Sequence, residues 1–341
     1  MRVLKYLSGP IAAAGFACAA WGAPFRIVEV TSVAGLPLAQ LAPQTIAFSD
    51  HKDDRLADRT SGLMKFDNWA QTRLVQKQFL GLFPTYDEPT ITSASGGKSR
   101  KKRLHVYVAE ARFALKRDPQ AIDLKHYATL PFVERMDPAI KHKLITADDV
   151  VPNKEPQSAN HNPTRRWCEG AGPPLCIQST YKLEGKLPLG IQLVNQLKEH
   201  ARKYADTIEF QSELRVVPPA EIDDAGYRKL TGIDAPIAGA LEQNIVHVNQ
   251  VMQFGKFLAI FQPRPDDRGQ TIITAFMVLG VDSDLFEKKK EYAEVPVLRN
   301  LIPAQVISGN STFNTGNSIS AGLPAYARNR LKAIAEIIER E

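Results

Sequence analysis

Two runs of apolar and β-branched residues dominate this sequence. Residues 244–261 and 270–281 are joined through PRPDDRGQ (263–270), whose proline, aspartate and glycine residues favour a turn. Strands of this length must bury a face, so the pair predicts a long antiparallel hairpin that commits the chain to a sheet. Neither run is long enough to cross a bilayer as a helix, which needs about 20 apolar residues. The chain ends in LPAYARNRLKAIAEIIER (323–340). There Ala327, Leu331, Ile334 and Ile338 form an apolar stripe opposite Arg328, Lys332, Glu336 and Arg340, the pattern of an amphipathic helix packed on a core.

Between these landmarks the strand signals lie at 24–34, 103–116, 176–183 and 207–217. Helical spacing appears at 67–82 (Trp69, Val75, Phe79, Leu82) and from Pro188 to about Tyr204. The expectation is an α+β fold: a mainly antiparallel sheet with packed helices and an amphipathic C-terminal helix. A sheet wrapped around its last helix, as in helix-grip lipid-binding folds, fits this order of elements. Eight prolines between 119 and 174 predict an irregular stretch, and the division expected is 23–175 and 176–341. At 44% hydrophobic and 23% charged over 341 residues, the chain has material for a large core. Gly and Pro together make 44 residues, far from a collagenous or low-complexity level.

The first residues have a separate logic. Arg2 and Lys5 precede an apolar run from Ile11 to Ala20 and then small residues, the layout of a secretory signal peptide over 1–22. Ten apolar residues span about 15 Å as a helix, half the hydrocarbon thickness of a bilayer, so removal is expected rather than anchoring. Cleavage after Gly22 or Ala20 fits the small-residue rule. Lipidation at Cys18 is the alternative, which Gly15 and Phe16 disfavour. The expected location is periplasmic or secreted.

Cysteine usage agrees with that address. Once Cys18 leaves, Cys168 and Cys176 remain in WCEGAGPPLC, too far apart for a Cys-x-x-Cys centre. An oxidising compartment would join them across a turn made by Gly170, Gly172, Pro173 and Pro174.

Charge is uneven. Residues 23–180 hold 22 basic and 17 acidic side chains, whereas 181–341 hold 19 and 20. The excess is one run: Lys98, Arg100, Lys101, Lys102 and Arg103, in a segment suited to an anionic membrane surface. No aromatic is interleaved to stack on bases, so nucleic acid is not the expected partner.

No catalytic motif is complete. Gly97-Lys98-Ser99 lacks the leading glycine of a phosphate loop, which is Thr92 here. Gly316-Asn317-Ser318-Ile319-Ser320 lacks the closing glycine of a nucleophile elbow, leaving Ser318 and Ser320 as weak nucleophile candidates for a secreted hydrolase. The Asp50–Asp58 cluster lacks metal-loop spacing, so no metal and no cofactor are expected. His247 reads as a structural histidine within a strand. His161 beside Arg165 and Arg166 could grip an anion. The loop 308–322, with Phe313, Asn314 and Asn317, offers many hydrogen-bonding groups with little bulk. The leading expectation is an exported cell-envelope protein, non-catalytic, that binds a lipid, another amphiphile or a membrane component. A structural or assembly subunit is the other non-enzymatic alternative.

Overall fold

The computed structural model describes residues 24–50, 90–91, 100–101, 104–136, 138–150, 167–169, 174–182, 207–248, 252–282 and 319–341. Its centre is the expected hairpin. β10 (Met252–Arg264) and β11 (Asp267–Asp282) pair antiparallel along nearly their whole length. The turn is only Pro265-Asp266, tighter than the sequence suggests, and Arg264 Nε holds Asp266 at 2.8 Å across it. The stretch 244–261 is not a single strand. β9 (Gly239–Val248) pairs antiparallel with β10, so the chain reverses between Val248 and Met252.

Around this centre a nine-stranded sheet is built. β1 (Arg26–Glu29) pairs in parallel with β2 (Thr45–Asp50), and β2 pairs with β5 (Leu104–Leu115), which meets β11. On the other side β9 pairs with β8 (Thr207–Val216), then β7 (Leu175–Lys182) and β6 (Ile140–Leu144). All pairings in this sheet except β1–β2 are antiparallel, and the sheet joins strands from both sides of residue 175. β3 (Thr90–Ile91) and β4 (Arg100–Lys101) form a separate two-residue ladder.

The proline-rich stretch is more ordered than expected. It holds α1 (Leu124–Tyr127), capped by Asp123 through a 3.0 Å bond from the Lys125 N–H, and α2 (Leu130–Met136), besides β6. Two of its prolines act as starters: Pro119 opens a 3-10 turn and Pro131 lies in the first turn of α2, where a missing N–H costs nothing. α3 (Asp224–Thr231) begins at an Asp223 cap and ends at Gly232, whose φ of 69° is left-handed. A Cβ at Gly232 would stand 2.9 Å from the carbonyl oxygen of Ala34. Gly232→Ala is therefore expected to lower stability by about 1 to 3 kcal/mol in urea unfolding, and an unchanged midpoint would refute this account of the cap.

The last helix, α4 (Ile319–Arg340), packs on β5, β1 and β2 and touches α2. It supplies Ala327, Ala335 and Ile338 to a core with Phe25, Ile46, Phe48, Ala109, Ala111, Phe113, Ile273 and Met277. The architecture is α+β, a large mostly antiparallel sheet with few helices. Among the described residues no helix is long and apolar enough to cross a membrane.

Candidate functional site

Strand alternation decides which residues meet α4. From β5 these are Ala109, Ala111, Phe113 and Leu115. Their cross-strand partners continue the face through Met277, Ala275 and Ile273 on β11, then Phe257, Ala259 and Phe261 on β10, and on to Gln243, Leu241 and Gly239 on β9. Three alanines, Ala111, Ala275 and Ala259, lie side by side across three strands. Over β5 the face is sealed: Phe48, Ala109, Ala111 and Phe113 are buried. Further across it is open, because Phe257, Ala259, Ala275 and Leu241 are only partly covered, as are Leu331, Ile334 and Ile337 of α4. The alternate residues of β10, Lys256, Leu258, Ile260 and Gln262, are all buried on the opposite face. The helix face of β9–β11 is thus an apolar lane that solvent reaches, and small side chains give it its room.

One end of this lane is polar. Arg330 of α4 donates through Nη2 to Gln243 Oε1 at 3.1 Å, and its guanidinium lies 4.9 Å from the centre of the Phe257 ring. Gln243 in turn donates to Ser212 Oγ at 3.0 Å. On the other flank of α4, Arg328 holds Glu29 and stacks on Phe48. Farther along the sheet, His142 Nδ1 and Ser179 Oγ are 2.8 Å apart, the contact a base makes with a nucleophile. Ser179 is 0% exposed, however, so no substrate carbonyl reaches its oxygen and the bond satisfies a buried hydroxyl.

The outer face of the sheet holds the charges. Glu213, Asn244 and Lys256 stand in register across β8, β9 and β10, with Arg215 and Glu242 in the next row. Lys256 Nζ donates to Asn244 Oδ1 at 2.5 Å, Asn244 Nδ2 donates to Glu242 Oε1 at 2.5 Å, and Arg215 meets Glu242 at 3.5 Å and Glu221 at 2.8 Å. Burial drives the Lys256 amine down to about 7, against the attraction of Glu242 and Glu213. Burial and Glu242 together push the Tyr227 hydroxyl of α3 up to about 12. The Cys168–Cys176 disulfide closes this side, with Cα atoms 5.8 Å apart, and the Cys168 N–H donates to Glu213 Oε2 at 3.2 Å.

The end of α4 is tied down by a third group. Arg135 of α2 bonds Glu341 at 2.5 Å, and His126, set against the rings of Tyr127 and Phe132, meets it at 3.3 Å. Burial pushes the Glu341 carboxyl up, but the bonds from Arg135 and His126 outweigh it and hold the group below the ordinary 4.5. Its contribution is therefore present above that value and fades as pH falls through the depressed one. Because Arg135 is half exposed, Arg135→Glu is expected to lower stability by less than about 1 kcal/mol. It should also speed amide exchange in the last turn of α4, and unchanged exchange there would discount the tie.

Most residues singled out from sequence lie outside the described residues: Cys18, Lys98, Lys102, Arg103, His161, Arg165, Arg166, Phe313, Asn314, Asn317 and Ser318. Arg100 and Lys101 form β4, Ser320 lies at the start of α4, and His247 lies in β9. The side chains of these four are likewise outside the described set. Cys168 and Cys176 are joined as expected. No motif in the sequence singles out Arg330 and Gln243. The available signal was a cation four residues before Ile334, within the apolar stripe rather than opposite it.

The chain matches no family model and no curated protein. Among solved structures it is similar to a START superfamily protein from Mycobacterium smegmatis, at 8% identity and TM-score 0.31, over 68% of this chain and 97% of that one. It is also similar to Ara h 8.0201, at 11% and 0.31, over 69% and 99%. A third is norcoclaurine synthase from Thalictrum flavum, solved in complex with dopamine and hydroxybenzaldehyde, at 11% and 0.28, over 60% and 86%.

Proposed function

We propose that this is an exported cell-envelope protein that holds an apolar or amphiphilic ligand between its sheet and α4, in a helix-grip arrangement, without catalysing a reaction. The observation that carries this is the pattern on β10: Phe257 and Ala259 are partly exposed on the helix face, while Lys256 and Leu258 on the other face are buried. A strand built only for stability would bury its apolar face first. Leaving Phe257, Ala259, Leu241 and Ala275 open beneath a helix makes sense when another apolar body covers them. Each methylene buried there contributes about 0.8 kcal/mol, so a chain of ten offers on the order of 8 kcal/mol before the entropy of association is met.

Export is inferred from residues 1–22, and the cations at 98–103 would draw the mature protein to anionic lipid. Two measurements test the reading. N-terminal sequencing of the natural protein should begin at Trp21 or Ala23, and a start at Met1 would remove the envelope role. Mass spectrometry of an organic extract of the purified protein should find a stoichiometric amphiphile. In Ala259→Trp the indole occupies the alanine lane, so retention of that molecule should fall at least about tenfold. Full retention in a folded variant would place the ligand elsewhere.

A further inference from the structure

We infer that the ligand's apolar part is a single unbranched hydrocarbon chain that crosses the strands, its tail at Ala275 and its far end at Val216, a path that holds about twelve carbons; this rests on the sheet-and-helix site proposed above. Register decides the direction. Ala275, Ala259, Leu241 and Val216 are successive cross-strand partners on β11, β10, β9 and β8. All four are partly covered, whereas Ile273, Phe261 and Gly239 in the row beside them are buried. On the other side Met277 and Gln243 are buried and only Phe257 is partly covered. The uncovered strip is therefore about one side chain wide, and it runs across the strands rather than along any one of them.

Both banks are built up. A Cβ placed on Gly239 would collide with Leu124 Cδ1, so α1 lies directly over that row, and the 3-10 turn Pro119–Ala121 packs on β10 and β11 beside it. Across the strip, Arg330 of α4 is engaged with the Phe257 ring and with Gln243 and walls off that row. The inner end is shut, because Ala111, the next partner in the row on β5, is 0% exposed and shares the core with Ala335 of α4. Depth exists where the floor is alanine, at Ala275 and Ala259, between the bulk of Ile273 and Phe261 on one side and Met277 and Phe257 on the other. A floor one alanine wide takes one extended chain, and a branch would have to displace a flanking side chain. Neighbouring strands lie about 4.8 Å apart, so the three spacings from β11 to β8 measure about 14 Å. An extended chain advances roughly 1.25 Å per carbon, which sets the limit near twelve.

The test is a series of straight-chain alkan-1-ols from six to fourteen carbons, binding to the delipidated mature protein and read by displacement of anilinonaphthalene sulfonate. Affinity should rise about fourfold with each carbon up to about twelve and then stay level. The branched isomer 2-butyloctan-1-ol should bind at least about tenfold more weakly than dodecan-1-ol. Ala275→Leu fills the inner end, one strand spacing of the path, and should move the break about four carbons shorter while hexan-1-ol binds as before. Ala275→Val, a smaller filler, should move it by fewer carbons and serves if the leucine variant does not fold. A rise that continues through fourteen carbons, or a break at the same length in the folded variants, overturns the crosswise path and leaves the lane standing. An equal loss at every length would place the chain along β10 and overturns the path as well. Equal binding of the branched isomer overturns the single chain. Failure of every alcohol to bind overturns the lane and the path together.

Discussion

Between pH 7 and pH 10.5 the folded protein is expected to gain stability as Lys256 loses its proton. The amine titrates at about 7 in the folded chain and at 10.5 when exposed. Within that window the unfolded state holds a proton that the folded state has released, so unfolding takes one up and stability rises with pH. Below 7 both states are charged and the full penalty of a buried ammonium applies; above 10.5 both are neutral and it is gone. At about 1.4 kcal/mol for each pH unit, the span amounts to on the order of 5 kcal/mol. Lys256 is 3% exposed, so solvent screening does little to reduce this. Among the described residues, the groups that act on it include Asn244, Glu242 and Glu213, which keep the penalty from being larger, and Arg215, which adds to it. Lys256→Met removes the titrating group at similar length. The difference in unfolding free energy between wild type and variant, measured by urea titration across the window, should slope upward by up to about 1.4 kcal/mol per unit. A difference that stays flat from pH 7 to pH 10.5 would show that the amine is not buried in this environment.

The same cluster explains what the sequence conceals. In β8 and β9 the charged and amide residues recur every second position, as Gln211, Glu213 and Arg215 and again as Glu242 and Asn244. Alternation of that kind reads as one face in water and one in the core. Here the polar face is also buried, and Glu213 and Glu242 are sealed against Arg215, Asn244 and Lys256. Burial of a polar face depends on what folds over it, which no local pattern encodes. β5 was legible almost to the residue and β11 to within three because hydrophobic residues run through them on both faces, and α4 because its stripe repeats over about three turns. α2 was hidden by a proline in its first turn, and β6 by Pro138 just before it. β9 was hidden because its first half, GALEQ, lacks the β-branched residues that mark a strand. The lane was half legible: its long strands and helix were, but the partial exposure of Phe257 and Ala259 follows from how α4 lies across the sheet.

Replacing Cys168 and Cys176 together by serine is expected to lower stability by about 2 to 3 kcal/mol. The loop they close is short, with a sequence separation of 8, and the chain-entropy relation gives a value in that range for a loop of this size. A second contribution is specific to this protein. Cys168 has a φ of 66°, a conformation that only a constrained non-glycine residue keeps, and its N–H is a hydrogen-bond donor to the fully buried Glu213. Once the bridge is gone, Cys168 is free to relax and Glu213 loses that donor in a place where water does not replace it. The disulfide and Lys256 are therefore coupled through Glu213, which attracts the amine. In a double-mutant cycle the losses from the serine pair and from Lys256→Met should fail to add by at least about 0.5 kcal/mol. Strict additivity would mean that the bridge acts on the unfolded chain alone. A reductant should reproduce the loss in the wild type and leave the serine pair unaffected, and a serine pair that responds to reductant would mean the loss has another source.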